Sequence, residues 1–151
     1  MKQNVEKGQQ SFSVATDVGD TASMEALIQA TVDNLGRLDI IINNAGVAAE
    51  SYDPLPIYEA TADRFDVTMK INARGVFLGC KYAAIQMMKQ DRLEGKDRGW
   101  IVNMSSGLAV KDMAGVSCYS ASKGAVWSMT RAVAMDLAPL HIHCNAICES
   151  I

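Results

Sequence analysis

Leu38-Asp39-Ile40-Ile41-Ile42-Asn43-Asn44-Ala45-Gly46 is a short apolar run that breaks into two amides, an alanine and a glycine. A continuous run of this length, closed by turn formers, predicts a strand buried on both faces, as in a parallel sheet. Outward from it, strands and helices alternate. Upstream, Ser11 to Ala15 reads as a short strand, and Asp20 or Thr21 can cap a helix. In that helix Met24, Leu27, Ile28, Val32 and Leu35 recur at helical spacing, and Gly36 ends it. Downstream, a loop holds Pro54 and Pro56. One long helix is predicted from Thr61 to Lys89, with the stripe Phe65, Met69, Asn72, Val76, Cys80, Ala83 and Met87. Asp91 to Gly99 is a charged, exposed connection. Trp100 to Met104 reads as a strand, Cys118 to Leu137 as a helix stopped by Pro139, and Ile142 to Ile147 as the last strand. This alternation predicts an α/β fold of parallel βαβ units with right-handed crossovers. There is no internal repeat and no low-complexity segment.

The 151 residues are 49% apolar and 21% charged, enough for one domain with a real core. A net charge of −3, with no basic run, argues against a nucleic-acid surface. No apolar stretch approaches membrane-spanning length, and Met1 to Gln10 is too polar for a secretory signal. Cys80, Cys118, Cys144 and Cys148 form no CxxC pair, which predicts reduced thiols in a cytoplasmic protein. His141 and His143 alternate along the last strand and share a face. Without a third ligand they read as strand-edge histidines, so no metal is expected.

Chemistry concentrates in one segment. Tyr119-Ser-Ala-Ser-Lys123 sets a tyrosine and a lysine at i and i+4, on one helical face. An ammonium beside a phenol favours the phenolate, so such a tyrosine can exchange a proton with an alcohol or ketone near neutral pH. Ser106 lies thirteen residues before Tyr119 and closes Trp100-Ile-Val-Asn-Met-Ser-Ser106, a strand that ends in hydroxyls. In open parallel sheets, reactive groups gather at the carboxyl ends of strands. Taken singly, a YxxxK is an everyday solvated helix face, and a serine pair after a strand is an everyday turn or cap. Coincidence accounts for each alone and poorly for both together with Asn43 to Gly46.

At these residues the chain resembles the short-chain dehydrogenase/reductase family. The matching elements are NNAG at 43–46, the Asn of Lys70-Ile-Asn72-Ala-Arg-Gly-Val, IVNMSS at 101–106 and YxxxK at 119–123, in the family's order and spacing. The resemblance implies a Rossmann-like doubly wound parallel sheet and NAD(P)-dependent hydride transfer on a small-molecule alcohol or ketone. It implies Asn72, Ser106, Tyr119 and Lys123 as catalytic residues. Tyr119 would be the general acid or base, and Lys123 would lower its pKa and bond the nicotinamide ribose. Ser106 would hold the substrate oxygen, and Asn72 would complete a proton relay through water. Cofactor contacts would come from Asp17 and Val18 at the adenine, from Asn43, Ala45 and Gly46 at the ribose, and from Tyr119 and Lys123. Taken without the resemblance, Asn72 is a buried amide that needs structural partners, Asp17 is a turn residue, and Asn43 and Asn44 could tie the central strands. Substrate contacts are expected from Val47 to Tyr52 and Gly107 to Met113. Pairing of the two long helices across a two-fold axis implies a homo-oligomer.

The family's opening unit, a strand, a TGxxxGxG turn, a helix and a second strand, has no counterpart in these residues. Met1 to Gln10 resembles the end of the family's second helix, and Glu149 and Ser150 stand where the family has Pro-Gly. The expectation is one partial domain over residues 1–151, the family's strands 3 to 6, with an exposed apolar edge at Leu38 to Ile42. NAD and NADP cannot be told apart without the missing second strand. Two further readings remain beside an enzyme: a catalytically silent, truncated piece serving at most for assembly, and a nucleotide-binding scaffold without turnover.

Overall fold

The computed structural model describes residues 10–93, 97–111 and 113–149. Most of Met1 to Gln10, read above as a helix end, lies outside the described residues, as does Ser150. The chain runs α1 (Thr21–Leu35), β1 (Ile40–Asn43), α2 (Ala62–Met69), α3 (Gly75–Met88), β2 (Gly99–Met104), α4 (Ser117–Leu137) and β3 (Ile142–Ile147). The sheet is parallel, in the order β1-β2-β3, with Ile41 beside Ile101 and Ile101 beside Cys144. The parallel α/β expectation therefore holds. The bounds of β3 are those read from the sequence, and α4 starts one residue earlier than expected.

Local chemistry sets the helix ends. The Asp20 carboxylate accepts the Ser23 N–H at 2.8 Å and caps α1. Gly36 closes α1 at φ 85, where a side chain would be strained, and donates to the Val32 carbonyl. Thr61 caps α2 by accepting the Arg64 N–H at 3.2 Å. The expected single helix from Thr61 to Lys89 is continuous but carries a π-helical turn at Lys70–Arg74, around Asn72. Such turns insert an extra residue into the helix and recur at functional sites. The stripe read from the sequence is buried from Asn72 to Met87, whereas Phe65, before the π turn, is exposed.

Two expectations are corrected. Ser11 to Ala15 forms no strand. A strand exists by pairing, and no described strand lies beside this segment. The Leu38–Ile42 run is not buried on both faces. Alternate residues Ile41, Ile101, Ile142 and Cys144 turn toward a core with Val76, Ala83, Met87 and Val126 from α3 and α4. Their neighbours open outward, with Ile40 57% and Ile42 61% exposed. Among the described strands β1 is also an edge strand, so the apolar edge expected at Leu38 to Ile42 is present there.

The core carries a polar tie. Asn103 on β2 is fully buried, donates to Thr130 of α4 at 2.9 Å and accepts from the Asn43 side chain at 2.8 Å. Buried amides are tolerated when paired in this way. The tie needs α3 close to β1, which Gly79 permits: a Cβ there would stand 2.0 Å from the Asn43 side-chain oxygen.

Candidate active site

The carboxyl ends of the strands and the loops after them build the site. Asn43 ends β1, and its side chain turns into the layer between sheet and helices to meet Asn103. The strand-tying part of the reading given above for Asn43 thus has its side-chain contact. Past it, Asn44, Ala45 and Gly46 are exposed. The Asn72 side chain, 1% exposed, clamps the next residue at both ends. Its Oδ1 accepts the Val47 N–H at 2.8 Å, and its Nδ2 donates to the Val47 carbonyl at 2.9 Å and to Ser122 Oγ at 3.0 Å. A side chain at Gly46 would come within 3.3 Å of Asn72 Oδ1 and 3.7 Å of Lys123 Nζ. The bare glycine therefore keeps open the approach to both groups.

β2 and α4 supply the rest. Ser105 Oγ donates to the Lys123 carbonyl at 3.0 Å. Ser106 is buried, and its hydroxyl accepts the Leu108 N–H at 3.2 Å, capping a short 3-10 turn. Tyr119 and Lys123 share a face of α4, with Lys123 Nζ 5.6 Å from the Tyr119 ring centre and donating to the Met104 carbonyl at 2.8 Å. Burial lowers the Lys123 ammonium below its ordinary pKa, and the Glu149 carboxylate offsets part of that fall. A cavity of about 190 Å³ joins Asn44, Gly46, Val47, Tyr119, Lys123 and Glu149. Of the catalytic and cofactor residues expected from the resemblance, Gly46, Tyr119 and Lys123 line it, and Asn72 lies against its Gly46–Val47 wall. Ser106 is not in its lining, whereas Ser105 is. Sequence reasoning missed Ser122, whose only signal was its place between Tyr119 and Lys123.

The buried ammonium has a measurable consequence. Lys123→Met keeps the stem and removes the charge, so it should stabilise the fold by about 1 kcal/mol at pH 7. The folded state holds the Lys123 proton less tightly than the unfolded chain does. Wild-type stability therefore rises as pH enters the lysine range, and the variant's lead shrinks there. Urea denaturation at pH 7 and pH 10 reads both effects. A variant less stable than wild type at pH 7 would show that the bond to Met104 outweighs the cost of the buried charge.

Val18 lies at a second cleft, whose lining does not include Asp17. Val18, Asn43, Asn44 and Ala45 line about 100 Å³ with Ile41 and Ile42. Asn44 is common to this cleft and the Tyr119 cavity. Asp17 is exposed and already engaged: its carboxylate pairs with Lys70 at 2.9 Å and accepts the Gly19 N–H. Lys70 first, then Gly19, hold its carboxyl below the ordinary value. His141 does not alternate with His143 along β3. It precedes the strand at φ 58, while His143 meets Asp97 at 3.0 Å. Among the described residues, no three His, Cys, Asp or Glu side chains gather as a metal site.

A parallel sheet with a Tyr-x-x-x-Lys helix beside its strand ends places the chain among Rossmann-like α/β proteins. A family model described as short chain dehydrogenase matches residues 1–151, and the chain belongs to that family. It is 37% identical to 2-(R)-hydroxypropyl-CoM dehydrogenase of Xanthobacter autotrophicus, over 91% of this chain and 52% of that protein. It is 34% identical to a diacetyl reductase, (S)-acetoin forming, of Staphylococcus epidermidis, over 99% of this chain and 55% of that protein. Among solved structures it matches a short chain dehydrogenase from Mycobacterium smegmatis at TM-score 0.83 and 30% identity, over 91% of this chain and 53% of that one. NAD+-bound xylitol dehydrogenase matches at TM-score 0.81 and 31% identity, over 89% of this chain and 48% of that one. The chain spans about half the length of these relatives.

Proposed function

We propose that this chain carries the proton-transfer half of an NAD(P)-dependent oxidoreductase acting on a small alcohol or ketone. The observation that carries the reading is the cavity in which Tyr119 and Lys123, one helical turn apart, face the bare Gly46 beside Asn72. When bound, a nicotinamide cofactor supplies the hydride. The residues fit such a group. Gly46 leaves room that a Cβ would fill, and Val18, Asn43 and Ala45 border an apolar cleft that shares Asn44 with the cavity.

Tyr119 then donates a proton to a carbonyl, or takes one from an alcohol, at its phenolic oxygen. Lys123 supplies positive charge beside the phenol and would hydrogen-bond the ribose of a bound cofactor. Ser106, whose oxygen accepts the Leu108 N–H, donates its own O–H to the substrate oxygen and stabilises charge developing there. Asn72 steadies the Gly46–Val47 wall and relays protons through water. A space of about 700 Å³ beside α4, lined by Leu108, Val110 and Met113 together with Lys111, Ser117 and Ser120, would take the rest of the substrate. Following absorbance at 340 nm with NADH and NADPH over a panel of small ketones tests the reading. A cofactor-saturated protein that reduces none of them contradicts it.

The reading extends to assembly as a homo-oligomer through α2 and α4. Phe65, Val67 and Trp127 are exposed there, around a cleft lined by Ile57, Ala62, Phe65 and Ala121. Symmetric pairing would cover these residues. Light scattering at micromolar concentration is expected to give a dimer or tetramer, and a stable monomer would exclude it. One observation favours a second reading, a nucleotide-binding module without turnover: Ser106 is not in the lining of the Tyr119 cavity.

A further inference from the structure

Glu50 is a carboxylate buried to 2% exposure in the short turn Ala49–Ser51, just past Asn43–Gly46. Its two oxygens accept the Cys118 N–H at 3.2 Å and the Tyr119 N–H at 2.7 Å. These are the second and third residues of α4, and Val116, at the cap position, offers no side-chain acceptor. The first N–H groups of a helix lack partners within it and carry partial positive charge, so a buried carboxylate there is compensated on both counts. The cap of α4 thus comes from 68 residues upstream of Cys118. The same loop is clamped at Val47 by Asn72 and joined again through the Leu55 N–H to the Gly115 carbonyl. The segment from Val47 to Glu50 therefore links the Asn72 amide to the backbone of Tyr119.

We propose that Glu50 is a positioning residue: its carboxylate fixes the first turn of α4 and thereby sets how the Tyr119 phenol enters the cavity. This rests on the reading of Tyr119 as the proton-transfer group. Asp or Gln at position 50 cannot do the same. Asp is one methylene too short to reach both amides, and Gln presents an N–H to one of them.

Glu50→Gln in the full chain tests the proposal by three readouts. Amide hydrogen exchange should show protection lost at Cys118 and Tyr119, with the centre of α4 unchanged. The near-ultraviolet circular dichroism of the Tyr119 ring, isolated by subtracting a Tyr119→Phe counterpart, should lose most of its intensity. Turnover should fall about tenfold or more in kcat, with the KM for cofactor within twofold. Should Glu50→Gln fail to fold, Glu50→Asp keeps the charge and is read the same way.

Retained protection at both amides overturns the proposal. So do lost protection with an unchanged Tyr119 ring signal, and lost protection with unchanged kcat, either of which makes Glu50 a cap and nothing more. Wild type extended by a family-type strand, glycine turn, helix and second strand that binds cofactor without turnover would sink the functional reading alone. The exchange and ring signals would still decide the placement of Tyr119 by Glu50.

Discussion

Tyr119→Phe is expected to remove nearly all turnover, about a hundred- to ten-thousand-fold in kcat, from any form of this protein that reduces a ketone. The substitution deletes one hydroxyl from a half-buried ring. The backbone N–H of Tyr119 still meets Glu50, and its carbonyl still accepts from Ser122 Oγ at 2.7 Å. The fold should therefore be unchanged while the proton path is cut. An interaction made only in the transition state lowers kcat and kcat/KM together, and that is the expected pattern. Steady-state rates with thermal denaturation on the same samples decide it. A Phe variant with wild-type kcat would assign proton transfer to another residue.

The 151-residue chain by itself is expected to bind NAD(H) or NADP(H) weakly and to turn over little. These residues contain no TGxxxGxG turn. In Rossmann-like proteins, backbone N–H groups of that turn and the helix behind it hold the pyrophosphate. Placing a family-type strand, glycine turn, helix and second strand ahead of Gln9 should tighten binding about a hundredfold, the worth of two charge-assisted hydrogen bonds at roughly 3 kcal/mol. It should also raise solubility by covering the apolar edge at Ile40 and Ile42. Because binding energy at the remote end of a cofactor positions its reactive end, turnover should rise with affinity. Calorimetry on both proteins measures this. Micromolar affinity in the 151-residue chain alone would show that the glycine turn is dispensable.

What could be read from the sequence was what short-range chemistry decides. Asp20 and Gly36 bound α1 because a carboxylate cap and a left-handed glycine act within a few residues. Tyr119 and Lys123 share a face because four residues make about one turn. Asn72 stood out as an amide on an apolar stripe, and it is buried with three hydrogen bonds. What escaped depends on partners. Ser11 to Ala15 has strand composition but no described strand beside it. Ile40 and Ile42 look like core, yet face outward because the described helices cover one face of the sheet. The π turn at Lys70–Arg74 leaves the apolar stripe after it intact, so spacing alone did not reveal it. Glu50 falls within Val47 to Tyr52, the stretch expected to contact substrate, and nothing beside it marks a helix cap. Its partners are two backbone N–H groups on α4, and a backbone group leaves no mark in a sequence.

The central claim is that a hydride reaches the substrate in this cavity while Tyr119 handles the proton. The most direct measurement uses NADH and NADPH deuterated at the transferable C4 position, a small diketone, and the chain joined to the glycine-turn unit. The account predicts a hydroxyketone with one deuterium on its carbinol carbon, and no such product from the Tyr119→Phe form. Hydroxyketone formed without deuterium, or labelled product formed equally well by the Phe form, would contradict it.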